Sequence, residues 1–279
     1  MTDRAEFIRS SMRQTWATRT RIYGEMARSH AAHTEMLIAK ARLRPGESVL
    51  DVATGPGVVA LAAARAVGPS GRVVATDLAP EWSSVVDEAC AAAGIGNVMF
   101  RAMGAEALDL ADDSFDVALC QFGLMFVPDP VRALREMRRM LRDGGRLGVV
   151  VWSTADNVPC FSVTNRVLEP YMPAVPPEER LPAPTELGEP GVIDGHVAAA
   201  GFRDVAVERH TLDVVYEDAE RYARMRMEMG PIGCQEALER LGSDQRERLY
   251  RDMLAELEKY RRGDEIGLPS EAVYVTAVK

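Results

Sequence analysis

At 279 residues, 47% of them hydrophobic, the chain can bury one sizeable core, or one domain with a smaller subdomain, and needs neither metal nor disulfides to fold. Its formal charge of -9 argues against a sequence-independent grip on nucleic-acid phosphates, which needs a basic face, and favours small-molecule partners. The four cysteines, Cys90, Cys120, Cys160 and Cys234, form no C-x-x-C pair, so neither a zinc knuckle nor a disulfide framework is indicated and a reducing cytoplasm fits them best.

The chain opens MTDRAEFIRSSMRQTW, with scattered charges and no apolar run of signal-peptide length. No later stretch approaches the roughly 18 apolar residues of a spanning helix, so neither export nor membrane insertion is expected. No proline interrupts residues 7–42, where Met12, Trp16, Tyr23, Met26, His30, Leu37 and Ala41 recur near whole helical turns. One or two amphipathic helices follow from that spacing, and residues 1–43 read as an N-terminal helical cap.

Residues 44–152 then alternate strand and helix. SVLDV is a strand, TGPG a glycine-rich loop, and an alanine-rich helix spans residues 58–67 before Gly68-Pro69-Ser70-Gly71 stops it. RVVATD, a helix over 81–93, VMFR, SFDVALCQF, the helix PVRALREMRRMLR and RLGVVVW continue the pattern. Short links between such elements predict a parallel sheet covered by helices on both faces. Seven prolines between residues 170 and 190 then exclude a continuous helix or central strand, and residues 153–200 read as a lid or substrate segment. Residues 201–279 supply a strand at DVAVERHTL, a helical insert over 218–262 with Leu249, Met253, Leu257 and Tyr260 on one face, and a closing strand AVYVTAVK.

Gly55-Pro56-Gly57-Val58-Val59-Ala60 satisfies G-x-G-x-x-G/A, with Asp77 at the end of the next strand. That pattern alone serves a nicotinamide dinucleotide or S-adenosylmethionine equally. Asp51, four positions before Gly55, separates them: a carboxylate there would repel a pyrophosphate but attracts the ammonium and sulfonium charges of S-adenosylmethionine. No tyrosine is followed four residues later by the lysine that a short-chain reductase needs.

Taken together, LRPGESVLDVATGPG, VVATDLAPEW and FDVALCQFGLMFVPDPVRALREMRRMLRDGGRL resemble the ubiquinone/menaquinone C-methyltransferase-like branch of the class I methyltransferases, over at least residues 43–152. The resemblance implies a Rossmann-like, seven-stranded α/β sheet with an antiparallel final strand and S-adenosylmethionine across the carboxyl ends of the first strands. It also implies methyl transfer to a small acceptor, leaving S-adenosylhomocysteine. On the matching positions, Asp51 and the backbone of Ala53, Thr54, Gly55 and Gly57 would hold the methionine half. Asp77 would take the ribose hydroxyls, Leu78 and Trp82 would flank the adenine, and Cys120 and Gln121 would line the sulfonium side. Many members carry an acid where this chain has Gly104, so Ala105 and Glu106 are the candidates to replace its contact with the adenine amino group.

For acceptor deprotonation, His30 and His33 on the N-terminal helices are candidate bases, with packed helix residues the competing reading. Tyr23 and Trp16 could close the pocket. His30-Ala31-Ala32-His33 has helical metal-pair spacing, but with no acid or cysteine pattern nearby no metal is expected. Met225, Met227, Met229 and Met253 read as core rather than as an adaptable pocket. The expected function is O- or C-methylation of a phenolic, quinone-precursor or specialised metabolite. A cyclase, decarboxylase or hydroxylase on the same fold, or an inactive cofactor-binding scaffold, is the alternative, and a homodimer through the extra helices is an option.

Overall fold

A computed structural model describes residues 2–172, 176, 180–229 and 238–279. Three helices lead the chain, α1 (Thr2–Thr18), α2 (Thr20–Arg28) and α3 (Ala31–Ala41), rather than one or two. The breaks fall at Arg19 and His30, whose backbones leave the helical region without any proline or glycine to mark them.

The alternating segment gives β1 (Ser48–Val52), α4 (Val58–Val67), β2 (Arg72–Asp77), α5 (Trp82–Ala93), β3 (Val98–Ala102) and β4 (Phe115–Gln121). It continues with α6 (Pro130–Met140) and β5 (Leu141–Trp152). Asp129 caps α6 by accepting from the Arg132 N–H, and Pro130 sits where a missing N–H costs nothing. The helix stops two residues earlier than its sequence suggests. Leu141 is already extended and pairs with Phe115, and the ladder resumes at Val117 and Arg146, leaving the Gly144-Gly145 turn as a bulge.

After β5 come α7 (Pro159–Leu168), α8 (Val192–Ala199), β6 (Arg203–Tyr216), α9 (Ala219–Met229), α10 (Ser243–Leu257), β7 (Arg261–Arg262) and β8 (Glu265–Val278). Helices α7 and α8 flank the proline-rich segment that reads as a lid. Residues 173–175 and 177–179 of that segment lie outside the described residues, as do 230–237 of the helical insert. β8 starts seven residues before the AVYVTAVK reading because Pro269 is tolerated there: β5 ends opposite Ala272, so at Pro269 the strand pairs only with β6 on that side.

The strand order is β3-β2-β1-β4-β5-β8-β6, with β8 antiparallel to both neighbours and the two-residue β7 paired to β8. This is the expected seven-stranded sheet with one short addition. Its central strands are apolar on both faces: β1 is buried throughout, and Leu50, Leu119, Val149 and Val150 contribute to one continuous core. Leu249, Met253 and Leu257 of α10 and Met225 of α9 join that core, as the reading of the insert expected. The sheet order changes direction between β1 and β4, and ligands in open α/β sheets bind outside the strand ends at such a point. Among the described residues no helix is long and apolar enough to cross a membrane.

Candidate active site

Asp51 and Asp77 end neighbouring parallel strands, with Asp51 opposite Ala75 and Asp77 opposite Ala102 in the ladders. Both side chains are buried, and no lysine or arginine among the described residues pairs with either. Asp51 accepts from the Thr54 hydroxyl at 2.6 Å. Asp77 accepts from the N–H of Gly55 at 2.9 Å and of Ala79 at 3.0 Å. The two carboxylates therefore clamp one loop from its two sides.

Burial pushes Asp51 up to about 7, and the charge of Asp77 adds to it, against the Thr54 hydroxyl and the Ala60 N–H in the first turn of α4. Burial likewise pushes Asp77 up to about 6, the N–H groups of Ala79, Gly55 and Leu78 opposing and Glu81 adding. In both cases burial is the leading cause, and a cation or hydroxyl donors at these carboxylates would offset it.

The loop between them has left-handed backbone at Ala53 (φ 56°), Gly55 (φ 51°) and Gly57 (φ 81°). Gly57 is constrained from a direction other than the one expected. A Cβ there would meet Val86 at 3.1 Å and Leu61 at 3.2 Å, so its bareness serves the packing of α4 on α5 as much as any ligand. At Gly55 a Cβ would approach the Tyr23 ring at 3.5 Å.

A cavity opens above these strand ends. On one side it is walled by Asp77, Leu78, Trp82, Met103, Gly104 and Ala105; the other side is formed by α1, α2 and the turn after β4. Four of its aromatic rings meet edge to face in series: Trp82 and Tyr23 (6.0 Å), Tyr23 and Trp16 (4.8 Å), Trp16 and Phe126 (5.2 Å). Glu106 also lines it, but its carboxylate is engaged by the Arg9 guanidinium of α1 at 3.1 Å.

A smaller, deeper cavity shares Tyr23, Ala53, Gly55 and Phe122 with the first and adds Asp51, Thr54, His30 and Gln121. Cys120 lines neither cavity; it is buried, its thiol pushed up to about 12 by burial and by the Asp51 charge. Gln121 donates to Thr34 at 2.9 Å while its Oε1, sealed from solvent, meets no donor among the described residues.

The two histidines are placed differently. His30 reaches the wall of the deeper cavity; burial, with His33 adding, pulls it down to about 3. His33 lines neither cavity. Its Nδ1 is 2.6 Å from the Tyr274 hydroxyl, its ring stacks on Tyr274, and burial pulls it down to about 4. No described residue of the proline-rich segment, and none of Met225, Met227, Met229 or Met253, lines either cavity.

Several wall residues escaped the sequence reading. Arg9 and Met12 are reached only because α1 lies across the opening. Phe122 has a left-handed backbone (φ 55°) and stacks on Trp152 at 4.0 Å, and a Cβ on Gly123 would meet the Ala53 Cβ at 2.4 Å. The phenylalanine-glycine step directly after β4 was the available signal: a glycine at the mouth of a central strand marks close backbone approach.

Comparison with known proteins agrees with this layout. The model of the ubiE/COQ5 methyltransferase family matches residues 26–176. A ubiquinone/menaquinone biosynthesis C-methyltransferase of Hahella chejuensis is 42% identical over 129 residues, 46% of this chain and 52% of that protein. The chain thus spans about half the length of the curated relatives it matches. The crystal structure of the YcgJ protein from Bacillus subtilis superposes with a TM-score of 0.57 at 20% identity, covering 90% of this chain and 98% of that one. That of the [4+2]-cyclase SpnF gives 0.59 at 20% identity, covering 96% and 94%. At such identities these two show a shared fold alone.

Proposed function

Given that the chain belongs to the ubiE/COQ5 methyltransferase family, we propose that it transfers a methyl group from S-adenosylmethionine to the oxygen or carbon of a small phenolic, enolic or quinone-precursor acceptor. The observation that carries this reading is the pair of buried carboxylates, Asp51 and Asp77, at cavity walls with no lysine or arginine among the described residues paired to either.

The residues present fit the cofactor. Two carboxylates at cavity walls that meet no lysine or arginine among the described residues are what a ligand with an ammonium group and hydroxyls requires. Asp77 has lone pairs left for the ribose hydroxyls, Leu78 and Trp82 would flank the adenine, and Ala105 offers backbone groups beside the bare Gly104. Asp51, with the backbone of Ala53, Thr54 and Gly55, would hold the methionine half in the deeper cavity. Glu106 is a poorer substitute for an acid at position 104, since Arg9 already holds it. When bound, the cofactor supplies an electrophilic methyl group on a positively charged sulfur.

The chain's own work is then to hold the acceptor in line and exclude water, for which Trp16, Tyr23, Phe122 and Phe126 provide an apolar wall. His30 is the candidate base because its ring reaches a cavity wall. Burial holds the ring down to about 3, well below the neutral range in which a general base works best, so the assignment rests on its place at the cavity wall. The test is incubation with methyl-labelled S-adenosylmethionine and a panel of phenols and quinols. Label should appear in the acceptor in step with S-adenosylhomocysteine; acceptor turnover without label would exclude methyl transfer.

A further inference from the structure

The outer cavity holds Asp77, Leu78 and Trp82, the deeper one Asp51, Thr54 and Gln121, and the boundary they share is made by Tyr23, Ala53, Gly55 and Phe122. Three of those four are fixed by the sheet. Ala53 and Gly55 belong to the loop clamped between Asp51 and Asp77, and Phe122 follows β4 and stacks on Trp152 at 4.0 Å. Of the four, only Tyr23 comes from outside the sheet, on α2 of the helical cap.

The Tyr23 ring lies edge-on against the loop. A Cβ on Gly55 would meet its Cε1 at 3.5 Å and its Cδ1 at 3.9 Å, so the ring stands within one bond length plus 3.5 Å of the Gly55 Cα. A layer of ligand between the two would need roughly 3.5–4.0 Å to each of them, and does not fit. Burial pushes the Tyr23 hydroxyl up, with Asp77 and Cys120 adding, so the far end of the side chain points to where β2 and β4 finish. The remaining ring contacts are edge to face, with Trp16 at 4.8 Å and Trp82 at 6.0 Å. On the cofactor reading above, adenosine occupies the outer cavity and the methionine half the deeper one. A ligand that joins them has to cross the boundary where the ring now rests on Gly55.

We propose that Tyr23 is a gate between the two cavities, whose ring must leave the Gly55 loop for a ligand that spans both and need not move for one that fills the outer cavity alone. This rests on the cofactor reading and adds selection by ligand length: an adenosyl amino acid lifts the gate, whereas adenosine binds beside it. Only the fraction of molecules with the ring lifted accepts the longer ligand, which lowers its apparent affinity and association rate by that fraction.

The experiment is stopped-flow mixing of the full chain with S-adenosylhomocysteine or with adenosine, followed by tryptophan fluorescence, to which Trp16 and Trp82 beside the ring contribute. In wild type the observed rate with S-adenosylhomocysteine should level off as ligand concentration rises, at the rate of gate opening, while the rate with adenosine rises in proportion. Tyr23→Ala should abolish the plateau and speed association of S-adenosylhomocysteine by about tenfold or more, the scale of two lost aromatic contacts, leaving adenosine within about twofold. Tyr23→Phe keeps the ring and should keep the plateau. Tyr23→Leu, which also lacks the edge-to-face contacts, should give the same split between ligands if the alanine variant folds poorly. A plateau shared by adenosine, or one that survives Tyr23→Ala, would overturn the proposal. Wild-type protein that binds no S-adenosylhomocysteine would remove the cofactor reading and this inference with it, whereas binding at a rate that stays proportional to concentration removes the inference alone.

Discussion

Asp51 and Asp77 hold one loop between them: Thr54 donates its hydroxyl to the first at 2.6 Å and Gly55 its N–H to the second at 2.9 Å. The loop is thereby fixed before any ligand arrives, and the carboxylates carry an unmet demand for positive charge. On the proposed function, that arrangement would be preorganisation for a cation, obtained at the expense of the free protein's stability.

The pH dependence of that stability follows. Asp51 titrates near about 7 and Asp77 near about 6 in the fold, against 3.8 in an unfolded chain. Between about pH 4 and pH 7 the folded protein binds more protons than the unfolded one, so their contribution is intact below about pH 4 and is lost as pH rises through the folded values. Asp51→Asn should therefore gain stability relative to wild type as pH rises across that window, in thermal melts of the ligand-free protein. A difference that does not change with pH would count against the burial assigned to Asp51.

His30 and His33 act in the opposite sense. Folded values of about 3 and about 4, against 6.5 unfolded, leave the unfolded chain holding more protons in between. Their contribution is intact above about pH 6.5 and is lost as pH falls toward the folded values. His30→Leu with His33→Phe should flatten the acid limb of the stability profile. For His30 alone, replacement by Ala should lower turnover more than affinity for S-adenosylhomocysteine; equal turnover would remove it as the base.

Two glycines separate structural from binding constraints. A Cβ at Gly188 would meet the Trp152 carbonyl at 2.1 Å, and one at Gly123 would meet the Ala53 Cβ at 2.4 Å. Both alanine variants should lose roughly 1–3 kcal/mol or more of stability by overpacking. Only Gly123→Ala should also disturb the cavity wall, so at temperatures where both variants are folded it alone should lose affinity for S-adenosylhomocysteine.

Gly104 offers a gain rather than a loss. A Cβ there would find only Leu78 Cδ1, at an ordinary 3.5 Å, so an aspartate fits beside the adenine end of the cavity. Gly104→Asp should tighten cofactor binding, read by titration. Unchanged affinity would mean that backbone groups at Ala105 already supply what the missing acid would.

Short-range signals made much of this legible. The loop glycines, Asp51 and Asp77 lie within one strand-turn-helix unit and the strand after it, and the alternation of β1 to β5 fixes their place. The helical breaks at Arg19 and His30 were not legible, because no proline or glycine causes them. The start of β8 at Glu265 was not legible either, because Pro269 is tolerated only where β5 has already ended, which the local sequence does not mark. The role of Arg9 depends on α1 crossing the strand ends, a tertiary fact with no local sequence mark.

The central claim is that the cavity is built for a cationic adenosyl ligand and not for a dinucleotide phosphate. Side-by-side calorimetric titration with S-adenosylmethionine and a nicotinamide dinucleotide, on wild type and on Asp51→Asn, tests it most directly. Saturable binding of S-adenosylmethionine alone, weakened about tenfold or more by Asp51→Asn, is the result expected for a lost charge-assisted contact. Binding of the dinucleotide in preference, or binding of S-adenosylmethionine indifferent to Asp51→Asn, would contradict it.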